Sequence, residues 1–384
     1  MLANRNVRLG LGVGVLLLAI GIIGVAQVLP KPAPPATPTP PPTVTTVTCI
    51  GGSEKQPLLD DPEIAALLRS RYALNVQFSA RGSLDLVQIP TAELKQKGIN
   101  CLWPSNASAQ LIFEKVHSLA DFPGYRAENV LNSPLVIYSW KDPTEALLKQ
   151  GIVEQRQGQY YISKLRDLLT LVKQGGTWQS IGSAALQGPV RIKSTNPTES
   201  NSGNILYLLM LNTLASSSGV DVATLASAQP VLPQLKQIYD AQGLQSRSSG
   251  FGFEAYLTQG VGAFPLYAGY ESQILEASVQ NPQGIKAGGA DIRILYPDPT
   301  AWSSHPILAL DAGAQKLITA MKDADVQQLA WRKHGFRSAV FGTANAPADF
   351  PLIAVPGQIT HVVDLPGADV ILKMNECLTN GNCS

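Results

Sequence analysis

The sequence predicts an α/β protein of two lobes, each a mostly parallel sheet flanked by helices, preceded by one transmembrane helix and a proline-rich linker. Three observations carry this prediction. From Val44 onward, short β-rich apolar runs alternate with stretches of helical spacing, the pattern of parallel sheets with crossover helices. Residues 9–26 (LGLGVGVLLLAIGIIGVA) contain no charged or polar side chain. Eight of the thirteen residues 30–42 are proline.

The apolar run, extended by Val28 and Leu29, reaches the roughly 20 residues a helix needs to cross a bilayer. No polar face is left for it to show to water, which excludes a buried globular helix. Arg5 and Arg8 precede it, and only Lys31 follows closely. This bias leaves residues 1–8 in the cytoplasm and puts everything after residue 29 outside, as a single-pass protein of the cell membrane. A secretory signal cut after Gly24-Val25-Ala26 is the competing reading, and the length of the run favours an uncleaved anchor at 9–29. Proline fixes φ and has no N–H, so residues 30–43 form neither helix nor sheet. As polyproline II, at about 3.1 Å per residue, they make a stalk of roughly 40 Å.

Without the anchor and stalk the chain has 26 basic and 28 acidic residues, a net charge of about −2. That balance excludes a nucleic-acid surface, which needs a basic stripe. The four cysteines, Cys49, Cys101, Cys377 and Cys383, all lie on the outer side. An even count in an oxidising compartment predicts two disulfides. Three pairings are open, and the preferred one joins Cys377 to Cys383 as a tail clip and Cys49 to Cys101 as a staple. No CxxC pair exists and the four histidines are scattered, so no zinc site is expected. Nor does the chain hold a GxSxG elbow, an HExxH pair or a phosphate-binding GxxxxGK[ST] loop, so no enzyme and no cofactor are expected.

The elements follow in order. Residues 45–51 read as a strand ending in glycine. Residues 61–71 have helical spacing, with Ile64, Leu67 and Leu68 on one face. Residues 74–79 alternate as a strand, and 84–89 form a strand-like run before a helix start at Thr91. Residues 132–139 (NSPLVIYS) are a continuous apolar run of strand length. A helix follows at 142–150, with Pro143 in its first turn. Strands are expected at 189–194, 263–267 and 291–296, and helices at 204–215, 312–323 and 326–334.

In such folds ligands sit beyond the carboxyl ends of the strands, and those loops carry hydroxyls and amides here. They are Gly52-Ser53-Glu54-Lys55, Gly82-Ser83, Ser139-Trp140-Lys141, the STNPTESNSG run at 194–203, and Tyr267 with Tyr270-Glu271. The stretch 200–203 also opens a helix, where free N–H groups and the macrodipole favour an anion.

These pieces resemble the type II extracytoplasmic solute-binding proteins of ABC importers, in particular the molybdate-, sulfate- and phosphate-binding branch. The resemblance spans about 45–344 and rests on GSEK, RGS at 81–83, NSPLVIYSW, STNPTESNSG, PLYAGYES, ILYPDPTAWSSHPILAL and QQLAWRKHGFRS. It implies a periplasmic-binding-protein-like fold whose two crossings lie near 134–139 and 265–270. Lobe one would hold 44–136 and 270–384, and lobe two 137–269. A ligand would be captured between them by hinge closure. By position, Ser53 and Ser83 would line the cleft from lobe one. Ser139, Trp140, Thr195, Ser200 and Ser202 would line it from lobe two, with Tyr267, Tyr270 and Glu271 at the second crossing. The implied ligand is a small molecule or inorganic anion, and the implied partner an ABC permease. The tail after Thr343 shows less resemblance. A tethered sensor or scaffold of the cell envelope is the alternative role for the same fold.

Overall fold

The computed structural model describes residues 43–217, 221–289 and 292–384. The expected anchor at 9–29, and the stalk at 30–43 except Thr43, lie outside the described residues. Among the described residues no helix is long and apolar enough to cross a membrane.

The first lobe is built on β1 (Thr45–Gly51), β2 (Leu74–Ala80) and β3 (Cys101–Trp103). These pair in parallel in the order β2-β1-β3. Between β1 and β2 runs α1 (Pro62–Tyr72), started by Asp61, whose carboxylate accepts the Glu63 and Ile64 N–H groups while Pro62 takes the first position. The run at 84–89, expected to be strand-like, opens instead as the short helix α2 (Ser83–Leu86). Its apolar side chains Leu84, Leu86, Val87 and Ile89 are all buried. Neighbours such as Leu86 and Val87 cannot both face one core from a pleated strand. After β3 comes α3 (Ala107–Val116), capped by the Asn106 side chain on the Ser108 N–H.

β4 (Arg126–Trp140) then runs through two sheets. Its residues 126–134 pair with β9 (Trp302–Ala309), which in turn pairs with β3. Its residues 135–140 pair with β7 (Leu266–Tyr270) and β8 (Ile292–Pro297). The second sheet is completed by the hairpin β5 (Val153–Arg156) and β6 (Gln159–Ile162), with β6 parallel to β8. The parallel register expected of both lobes is kept in β2-β1-β3 and in β6-β8. β4 is antiparallel to each of its neighbours because β7, β8 and β9 all run back along it.

Residues 134–139, expected as the first crossing, are part of β4, and residues 266–270 of the second form β7. A third extended segment, β8 followed by β9, lies along β4 through both sheets, so residues 292–297 join the second sheet rather than the first. The strand expected at 189–194 does not form a ladder. Pro189 has no N–H to give, and the segment pairs only at single bridges, Thr177 with Pro189 and Lys193 with Tyr267.

The second lobe carries α4 (Lys141–Lys149), α5 (Leu165–Lys173), α6 (Asn201–Ala215), α7 (Leu232–Gln242) and α8 (Ser249–Ala263). α6 is buried along nearly its whole length, as its NILYLLMLNTLA sequence demands. α9 (Glu271–Gln280), α10 (Ala312–Met321) and α11 (Ala324–His334) follow, then the short strand β10 (Arg337–Ser338) and α12 (Ala368–Asn380). Both preferred disulfides form. Cys49–Cys101 joins directly paired positions of β1 and β3, and Cys377–Cys383 closes the end of α12.

Candidate functional site

The parallel register aligns the carboxyl ends of β1, β2 and β3, since Gly51 lies opposite both Ala80 and Trp103. Two or three residues beyond each end stands a serine: Ser53, Ser83 and Ser105. From the second lobe, Ser200 and Asn201 at the start of α6 and Arg247, Ser248 and Ser249 at the start of α8 face the same space. Together with Arg81 and Tyr270 they line a cavity of about 260 Å³.

Two helices therefore begin at this cavity, α6 and α8, the second broken by non-helical backbone at Gly260 (φ +68°). The Ser200 side chain makes no cap bond to its own helix. Thr195 Oγ1 accepts the Gly203 N–H at 2.7 Å, while the Asn201 and Ser202 N–H groups have no acceptor within the helix. Position 203 requires glycine: a Cβ there would lie 2.1 Å from the Thr195 carbonyl oxygen. Gly82 is equally constrained across the lobes, where a Cβ would meet the Glu199 carbonyl at 2.2 Å.

The lobes touch through specific bonds around the cavity. Asn201 Nδ2 donates to the Ser105 carbonyl (2.7 Å), Ser249 Oγ to Glu54 Oε2 (3.2 Å), and the Gly250 N–H to Ser53 Oγ (3.3 Å). Glu54 also lines the cavity, as part of a buried ionic group. Lys55 Nζ donates to Glu54 Oε1 (2.6 Å) and to Ser105 Oγ (2.8 Å), and Ser105 Oγ donates to the same carboxylate. Burial alone would raise the Glu54 pKa, but the Lys55 charge and these hydrogen bonds outweigh it and bring the carboxyl down to about 2. Burial draws the Lys55 ammonium below its usual range, opposed by Glu54. The pair cancels, so the cavity faces no uncompensated carboxylate from Glu54. Arg81 and Arg247 make no ion pair among the described residues. Two helix starts and two arginines add positive potential at the cavity, offset by the Asp85 carboxylate that interacts with Arg81. Burial holds the Tyr270 phenol well above its ordinary pKa, so it stays a donor.

His305, fully buried 3.6 Å from Glu54 Oε1, is held well below its ordinary pKa by burial and by Lys55. It is neutral in the folded protein, so this contact is not an ion pair. The unfolded chain takes up that proton near pH 6.5 and the folded chain does not, so stability is lost as pH falls below about 6.5. The depressed Glu54 acts lower: its contribution is present above its ordinary 4.5 and is lost as pH falls towards about 2. The melting temperature is expected to fall between pH 7 and 5, and His305→Gln to flatten that slope. A variant that keeps the slope would assign it to another group.

Of the residues singled out from sequence, the structure gathers Ser53, Ser83, Ser200 and Tyr270 at the cavity. Ser202 and Thr195 lie behind it, bonded to each other at 2.8 Å. Ser139 accepts from Thr144 Oγ1 (2.9 Å), and Trp140 Nε1 donates to the Phe264 carbonyl (2.8 Å). Tyr267 is buried in an aromatic cluster with Tyr138, Tyr256 and Phe264. Glu271 faces away, in an ion pair with Arg337 at 2.6 Å, and accepts from Tyr296 Oη at 2.7 Å. Sequence reading missed Ser105 and the Arg247-Ser248-Ser249 corner. The signal for the second was present, a serine cap before an apolar helix, while the three-residue β3 is too short to announce Ser105.

No protein-family model and no curated protein matches the sequence. Solved structures match the fold. A periplasmic thiamin-binding protein superposes with a TM-score of 0.58 at 11% identity, covering 92% of this chain and 98% of its own. The periplasmic binding protein AfuA from Actinobacillus pleuropneumoniae, with exogenous fructose-6-phosphate bound, gives 0.55 at 12% identity over 88% and 98%. The sulfate-binding protein SubI from Mycobacterium tuberculosis gives 0.51 at 15% identity over 85% and 96%. At these identities the likeness is one of fold.

Proposed function

We propose that this chain, which has the fold of the type II periplasmic solute-binding proteins, captures a small polar or anionic solute in its interlobe cavity by hinge closure. In this reading it works outside the cytoplasmic membrane, tethered through residues 9–29, and hands its oxyanion-like ligand to an ABC permease. The binding step involves no covalent chemistry and no cofactor.

The observation that carries the reading is the wall of the cavity. Hydroxyls from both lobes, the first turns of α6 and α8, and Arg81 and Arg247 converge on one space, and the Glu54 carboxylate that also lines it is neutralised by Lys55. A buried anion needs a donor for each of its acceptors, and this wall offers donors. Ser53, Ser83, Ser200 and Tyr270 are the proposed contacts. The remaining sequence candidates, Ser139, Trp140, Thr195, Ser202, Tyr267 and Glu271, would support the wall from behind.

Thermal-shift screening of residues 44–384 against inorganic phosphate and sulfate, sugar phosphates, amino acids and metal ions tests this. An oxyanion or phosphate ester is expected to raise the melting temperature, since a ligand at a hundredfold excess over Kd adds about 2.7 kcal/mol. Ser53→Ala combined with Ser200→Ala removes two hydrogen bonds to a charged ligand, each worth about 1.5–3 kcal/mol, and so should weaken binding roughly hundredfold or more. A full shift in this double variant would remove the site assignment, and no shift with any anion would remove the function.

A further inference from the structure

We infer that α12 is a clasp that fastens the two lobes to each other, so that opening of the cavity requires release of the chain's own C-terminal helix. The inference uses the capture-by-closure reading for its consequence, but not the identity of the ligand.

The apolar face of α12 comprises Val370, Ile371, Met374, Cys377 and Leu378, spaced as one stripe of a helix, and all five are buried. They belong to one continuous core with Ala109, Ile112 and Phe113 of α3 in the first lobe and Leu232, Leu235 and Ile238 of α7 in the second. α12 packs directly against both helices. Polar contacts repeat the pattern. Asp369 pairs with Lys115 of α3. Asn204 Nδ2 of α6 donates to Asn375 Oδ1 at 3.3 Å, and Asn212 Nδ2 at the far end of α6 donates to the Asp364 carbonyl at 3.0 Å.

The position of this seat gives it a consequence. α3 begins two residues after Ser105 and α6 just after Ser200, so the two helices follow directly from residues on opposite walls of the cavity. Moving these walls apart separates α3 from α6, and α12 bonds to both. The segment leading into α12 also bonds to the connection between β8 and β9, where the Val363 N–H donates to the Thr300 carbonyl at 2.8 Å and Thr300 Oγ1 to the Leu135 carbonyl of β4 at 2.7 Å. The helix ends in the Cys377–Cys383 clip, which fixes its last turn. The clasp lies in the tail after Thr343, where the sequence resembles solute-binding proteins least. A domain whose closure is held by its own tail retains its ligand until the tail is displaced, which suits a sensor of the envelope as well as a carrier.

The test measures the interlobe distance in the full-length chain, with spin labels on unnatural side chains at positions 69 (α1) and 149 (α4), leaving both disulfides intact. Without added anion, the wild type is expected to show one narrow distance, unchanged by inorganic phosphate or sulfate. Met374→Glu places a carboxylate in the apolar seat. A longer distance is expected to become the majority population, together with lost hydrogen-exchange protection across 368–380. A chain ending at Val362 should give the same result. Two distances in the wild type without ligand would overturn the clasp, whether or not the variants fold. So would an unchanged distance in either variant once α12 has lost its protection or has been removed. Failure of any anion to bind would count against the proposed function alone, since the distance measurement needs no ligand.

Discussion

Lys55→Met is expected to lower the unfolding free energy of residues 44–384 by about 3–5 kcal/mol, the cost of stranding one charge of a buried pair. Lys55 is fully buried and its ammonium is the one cation bonded to Glu54 among the described residues. Methionine fills similar space but leaves the carboxylate with hydroxyl donors alone. The Glu54→Gln/Lys55→Met double variant carries no buried charge and should recover most of the loss. Urea midpoints of the three proteins measure this. Equal midpoints for wild type and single variant would mean that water reaches Glu54, and the buried ionic floor of the cavity would have to be abandoned.

The second large effect is expected at Arg337→Met, again about 3–5 kcal/mol. The guanidinium donates through Nε to Glu271 Oε2 (2.6 Å) and through Nη2 to Oε1 (2.9 Å), and Glu271 is completely buried. A lysine could not reproduce this two-point geometry. The same side chain donates to the Pro356 and Gly357 carbonyls. The variant should therefore show faster amide exchange around 350–360 as well as a lower urea midpoint. Glu271→Gln/Arg337→Met should regain stability but not the protection of that loop. A single variant as stable as wild type would show that the pair contributes nothing beyond its own desolvation.

Elements whose cause is local could be read from sequence. Asp61-Pro62 sets the start of α1, and the β-rich run Thr45–Gly51, closed by glycine, gives β1 at its observed bounds. The apolar length of α6 is likewise visible in its own residues. Elements set by distant partners were hidden. The backbone at 84–89 has the composition of a strand, and burial of Leu86 beside Val87 turns it into a helix. Tyr267 and Trp140 sit at strand ends, as binding aromatics would, yet each packs into the cluster around Tyr256. Which hydroxyls face the cavity was not legible either. Ser200 and Ser202 are two residues apart at one helix start, but only Ser200 lines the cavity, because Thr195 engages Ser202.

The single strand β4 also has a kinetic consequence. Its first half pairs with residues near 305 and its second half with residues near 268 and 294. Neither sheet can be completed until segments more than a hundred residues apart in the chain have met. Contacts of such high sequence separation incur their loop-closure entropy before they return any stability, which makes folding slow. An excised segment 137–269 would carry only the last four residues of β4 and lack β8 altogether, leaving unpaired strand edges that invite aggregation. The two lobes are thus separate as a place to bind, but inseparable as folding units.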